Sequence, residues 1–72
     1  MSQSKRPIGK IIRELREKSK LSQEQLGERA GIHRTYVSQL ERGVKSPTLT
    51  ILEQIAEALS IKASTIVRMT EE

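Results

Sequence analysis

Between Ser22 and Gly43 the chain reads SQEQLGERAGIHRTYVSQLERG, and this run leaves few ways to fold. Ser22 followed by Gln25 has the spacing of a capping box, in which each side chain satisfies the other residue's free backbone N–H. Leu21 and Leu26 flank it as a hydrophobic staple, so a helix starts at Gln23. Gly31 favours a helix end near Ala30, because the closing residue of a helix adopts a left-handed backbone that glycine enters freely. Only Ile32 and His33 then precede a second helical pattern, from Arg34 to Arg42, which Gly43 closes. So short a connection forces the two helices to cross sharply.

The rest of the chain supplies three more helical patterns. Ile8, Ile11, Ile12 and Leu15 share one face of a helix that has Pro7 at its first position and runs to about Ser19. Pro47 disfavours helical geometry at Ser46, so residues 44–47 form a turn. Thr48 caps a fourth helix with one apolar stripe at Leu49, Leu52, Ala56 and Leu59 and a second at Ile51, Ile55 and Ala58. That face is wider than packing on one neighbour requires. Residues 60–62 break the pattern, and Ala63 to Thr70 reads as a fifth helix carrying Ile66, Val67 and Met69. The expectation is an all-α fold of five short helices. Residues 1–6 form a flexible polar arm and residues 7–70 a single domain.

Composition narrows the function. Seventy-two residues suffice for one small core, which self-association would help to stabilise. The net charge of +4 is unevenly spread. Residues 1–20 hold seven basic groups and two acids, whereas residues 48–72 hold two basic groups and four acids. A basic front and a mildly acidic back suit a polyanion on one side only. There is no Cys and no Asp, and His33 is the only histidine, so neither a metal site nor an enzymatic constellation can be assembled, and no cofactor or small-molecule ligand is expected. No apolar run is long enough for a signal peptide or a membrane span, which points to the cytoplasm.

On the helix from Arg34 to Arg42, Val37 and Leu40 point to one side. Thr35, Ser38, Gln39 and Arg42 point to the other, with Arg34 at their edge. Leu26, Ala30 and Ile32 match the apolar side, and Gly27 stands where the two helices come closest. These offsets describe a helix-turn-helix over about residues 22–42. The run HRTYVSQLERG, together with Ser22-Gln23, Gly31, Ser46-Pro47-Thr48-Leu49 and the IAEAL run from Ile55, resembles the phage-repressor-like helix-turn-helix family, also called Cro or XRE. The five-helix, lambda-repressor-like layout of that family matches residues 7–70. Gly27 departs from it, since alanine is commoner there; glycine costs helix stability and keeps the fit.

The reading helix of such a domain lies in the major groove of double-stranded DNA. Arg34 can make a bidentate contact with guanine and Gln39 with adenine. Thr35 offers a hydroxyl and a methyl, and Ser38 is short enough for water-mediated contacts. The resemblance points to Arg34, Thr35 and Gln39 as readers and to Tyr36 at the sugar–phosphate edge. Gln23 opens a helix whose free N–H groups favour a phosphate, and Arg42 and Lys45 flank the groove as phosphate clamps, with Lys10 or Arg13 assisting. Glu41 would repel phosphates. Its angular position turns it towards the first helix, and the resemblance implies an ion pair with Arg16.

The resemblance further implies a homodimer that sets two reading helices about 34–36 Å apart on a palindromic site. Ile51, Ile55, Ile66, Val67 and Met69 are the expected contact, unless they complete the core of the single chain. Such a protein regulates transcription by occupying its operator, blocking RNA polymerase or contacting it. Restriction–modification controllers and small phage and chromosomal regulators share the His-Arg-Thr-Tyr-Val-Ser run. The alternative from another class is a protein–protein interaction module on the same fold; it predicts an acidic or apolar third helix, where Arg34, Gln39 and Arg42 stand here.

Overall fold

A computed structural model describes residues 6–72 as five helices in sequence: α1 (Ile8–Lys18), α2 (Gln23–Ala30), α3 (Arg34–Glu41), α4 (Leu49–Ala58) and α5 (Ala63–Met69). The described residues contain no strand. Each side-chain cap does what its spacing suggests. Ser22 Oγ accepts the Gln25 N–H at 3.0 Å while Gln25 Oε1 accepts the Ser22 N–H at 2.8 Å. Thr48 Oγ1 accepts the Ile51 N–H at 3.1 Å.

Two boundaries at the front of the chain differ from the sequence reading. Pro7 stands just outside α1, with ψ at 135°, and its carbonyl accepts from Lys10 and Ile11. The proline ring fixes φ and leaves ψ free, so either position satisfies it. The arm expected over residues 1–6 lies outside the described residues apart from Arg6, and Arg6 is tied down. Its N–H donates to the Thr70 carbonyl at 2.8 Å and its guanidinium pairs with Glu14.

Four of the helices end in the same way. The left-handed residue after α1 is Lys20, after α2 Gly31, after α3 Gly43 and after α4 Ser60. The N–H of the next residue reaches back to a carbonyl in the last turn: Leu21 to Arg16, Ile32 to Gly27, Val44 to Gln39 and Ile61 to Ala56, at 2.9–3.1 Å. This is the Schellman closure, which commonly tucks an apolar residue under the helix end. Leu21, Ile32 and Ile61 are tucked in; Val44 is not.

The core is in two parts with α1 between them. Ile12 joins Leu21, Leu26, Val37, Leu40 and Ile55 around the helix-turn-helix, whereas Ile11 joins Leu52, Ala56 and Ile66 under α5. Each fully buried Ile, Leu or Val contributes about 1.5–3 kcal/mol relative to exposure. This partition corrects the expected surface for a second copy. Ile55 and Ile66 are 0% exposed within one chain and have nothing left to offer a partner. The second stripe of α4 is used internally, because α2 packs on α4 as well as on α3. Val67 is exposed, Ile51 and Met69 are half-buried, and Leu49 points outward.

Candidate nucleic-acid interface

The outer face of α3 is built on a helix that is fixed at both ends. At its start, His33 Nδ1 accepts the Thr35 N–H at 3.0 Å, so the lone histidine is an N-cap. On the inner face Val37 and Leu40 are buried in the main core. At the far end α1 lies directly on the last turn: a Cβ built on Gly9 would overlap the Leu40 carbonyl oxygen and stand 2.8 Å from that of Glu41.

The link to α2 is equally close. A Cβ on Gly27 would lie 2.5 Å from the Ile32 carbonyl oxygen and 3.3 Å from the Arg34 nitrogen. Glycine at this position lets the turn come this close, and an alanine would have to push it away.

Glu41 is held off the outer face. Arg16 Nε donates to Glu41 Oε2 at 2.7 Å and Arg16 Nη2 to Oε1 at 3.0 Å, while Nη1 donates to the Leu21 carbonyl at 2.8 Å. The side chains are only 11% and 3% exposed. The hydrogen bond to Glu41 raises the Arg16 pKa above its already high ordinary value, against an opposing desolvation effect and with help from the charges of Glu41 and Glu17. Gln23 completes the group by donating from Nε2 to Glu41 Oε1 at 3.0 Å. One Gln23 amide hydrogen is thus engaged inside the protein. The phosphate contact expected of this residue is left to its second amide hydrogen and to its backbone N–H, which lies in a first turn without an intrahelical acceptor.

The remaining candidates share the outer face of α3 and its margin. Arg34, Thr35 and Arg42 are exposed, and Ser38 and Gln39 are half-exposed between them. Ser38 Oγ accepts from Arg42 Nε at 3.2 Å, and Arg34 Nη1 stands 3.6 Å from Glu24 Oε1. Tyr36 is half-buried against the main core, leaving part of its ring at the margin. Lys45 lies exposed beyond the end of α3, its N–H bonded to the Gln39 carbonyl. On α1, Lys10 and Arg13 are exposed, and Arg13 pairs with Glu17 at 3.1 Å. Sequence reasoning did not single out Glu24, Gly9 or the cap role of His33. Spacing gives no sign of the first two, because each acts across helices, whereas His33 directly before a helical pattern does stand at a cap position.

Comparison with known proteins places this geometry. The helix-turn-helix family matches residues 12–66. An uncharacterized HTH-type transcriptional regulator of Mycobacterium tuberculosis is 44% identical over 58 residues, which is 81% of this chain and 41% of that protein. The chain therefore spans about two fifths of that relative. The crystal structure of the restriction-modification controller protein C.AhdI from Aeromonas hydrophila is 37% identical, with a TM-score of 0.81 over 83% of this chain and 91% of the other. The biofilm-formation master regulator SinR, solved in complex with DNA, is 30% identical, with a TM-score of 0.79 over 83% of this chain and 97% of the other. Among the described residues no helix is long and apolar enough to cross a membrane.

Proposed function

We propose that this chain, which belongs to the Cro/XRE-type helix-turn-helix family of transcriptional regulators, binds double-stranded DNA as a homodimer, with α3 in the major groove. The observation that carries this reading is the division of α3. Val37 and Leu40 are buried while Arg34, Thr35, Ser38, Gln39 and Arg42 share the opposite side, and the acid that would spoil that side is neutralised by Arg16. Arg34 and Gln39 read base edges, helped by Thr35 and Ser38. Arg42, Lys45, Tyr36 and the start of α2 at Gln23 hold the sugar–phosphate backbone.

Pairing is supported by three large apolar side chains left outside the core, Val44 at 61%, Leu49 at 68% and Val67 at 43% exposed. Val67 and Leu49, with the exposed parts of Ile51 and Met69, form the surface offered to a second copy. Occupation of a two-fold operator in the cytoplasm then controls transcription, by excluding RNA polymerase or by touching it.

Binding to a random duplex at a series of salt concentrations tests the reading. Affinity should fall steeply and linearly in log–log form as counterions are released. Selection from a random duplex pool should then return a two-fold site. No binding at low salt would overturn the reading in favour of an interaction module.

A further inference from the structure

Arg34 opens α3, yet it does not stand free. Its Nη1 is 3.6 Å from Oε1 of Glu24, in the first turn of α2, and the two side chains are 63% and 62% exposed. An ion pair so open to water contributes little to folding, so its meaning lies in its position. Glu24 follows Gln23, where the proposed complex brings a phosphate, and a carboxylate there opposes a polyanion. Seen as part of a DNA surface, Glu24 is a cost with no return.

The cost acquires a purpose through the shape of the guanidinium. Arginine has five N–H donors in a rigid fork. With Nη1 the atom nearest Glu24, at ion-pair rather than hydrogen-bond distance, Nη2 and Nε remain for another acceptor pair. The O6 and N7 edge of guanine is uncharged and can take them while Glu24 keeps its hold. A phosphate taking the same donors would bring a second anion against the Glu24 carboxylate. We propose that Glu24 is a specificity-determining residue, which steers Arg34 away from backbone phosphates and towards base edges. It thereby weakens binding to random DNA more than binding to the operator. This rests on the proposed reading of α3 as the DNA-binding helix.

The test compares Glu24→Gln with the parent on a random duplex and on a selected site, across a salt series. The variant should keep its fold, because the capping box depends on Ser22 and Gln25. Its affinity for random duplex should rise roughly 1.5–5-fold, the scale of one surface charge interaction, and the log–log salt slope there should steepen by about 0.9, one further phosphate contact. Affinity for the selected site should change by less, so that the ratio between the two falls. Glu57→Gln, the same charge change at an exposed position on α4, should leave the ratio unaltered. In an Arg34→Ala background Glu24→Gln should have no selective effect.

Equal behaviour of Glu24→Gln and Glu57→Gln, or a gain that persists without Arg34, would overturn the assignment and leave the parent's DNA binding intact. A parent that binds no duplex at low salt would overturn both this assignment and the reading beneath it.

Discussion

Arg16 and Glu41 meet through two hydrogen bonds, at 2.7 and 3.0 Å, across the junction of α1 and α3. The pair turns the one acid of α3 into an anchor for the helix that carries it. Glu41→Ala would leave the guanidinium largely buried and facing only the Leu21 carbonyl. Leaving a part-buried charged donor without its partner costs about 1–3 kcal/mol, and thermal or urea melting should show a drop of that order. A parent-like melting curve would remove the structural role. Replacing both partners, with Arg16→Met and Glu41→Leu, should recover most of the loss. Because the folded pKa of Arg16 is raised, the stability it contributes is fully present below its unfolded pKa and is lost only at higher pH. Melting near neutrality should therefore show no pH dependence from Arg16 itself.

Gly27→Ala offers a test in which two effects have opposite signs. Alanine is favoured over glycine inside a helix by about 1 kcal/mol. The new Cβ, however, would press on the Ile32 carbonyl oxygen at 2.5 Å, and overpacking against backbone costs about 1–3 kcal/mol. The variant should melt below the parent. Gly9→Ala should do worse, since two carbonyl oxygens of α3 oppose it. A stabilised Gly27→Ala would mean that the turn can retreat.

Lys20 and Ser60 are left-handed residues where glycine would be easier, with φ of 60° and 61°. A left-handed backbone costs an L-residue about 1–2 kcal/mol, partly offset by the greater freedom that glycine gives the unfolded chain. Lys20→Gly and Ser60→Gly should each raise stability by about 0.5–1 kcal/mol in urea titrations, without a change in m. Loss of stability at either position would point to a role for the side chain.

The residues proposed to face DNA should separate by kind. Gln39→Ala should cost about 1–3 kcal/mol on the selected site and relax the preference at one base pair. Lys45→Ala should weaken all duplexes alike and reduce the salt slope by about 1. Competition binding on single-base variants of the site distinguishes the two. A Lys45→Ala variant that altered base preference would contradict its assignment to the backbone.

Val67→Glu should leave melting of the single chain nearly unchanged, because the side chain is already exposed. It should shift sedimentation towards monomer and weaken binding to a two-fold site more than to a half-site. Leu49→Glu should act in the same direction if Leu49 belongs to that surface. Ile66→Glu should instead unfold the chain, as expected of a side chain sealed in the core.

Local chemistry made most of the frame readable in advance. Ser22, Gln25 and Thr48 cap with bonds that span three residues, and Gly31 and Gly43 close helices through their own backbones, so the signals lie within a few positions of their effects. Lys20 and Ser60 perform the same closure without glycine, imposed by Leu21 and Ile61 packing inward behind them, and composition gives no warning of that. The inner and outer sides of α3 follow from periodicity. What α1 and α2 bring against α3, namely Gly9 on the Leu40 carbonyl, Glu24 beside Arg34 and Gln23 on Glu41, depends on how helices distant in sequence are stacked. Periodicity also could not divide the wide apolar face of α4, because Ile55 is claimed by the helix-turn-helix and Leu52 by α5.

Ile11 and Ile12 are neighbours in the chain and belong to different halves of the core. On α4 the neighbours Ile55 and Ala56 are divided in the same way, so two helices each tie the half that supports α3 to the half under α5. Both ties lie within helices, α1 and α4. In the proposed pair, the angle at which α5 meets its counterpart would then bear on how the two α3 helices are set. A small change of side chain under α5 could then alter which operator spacing is accepted while every base-reading residue stays the same.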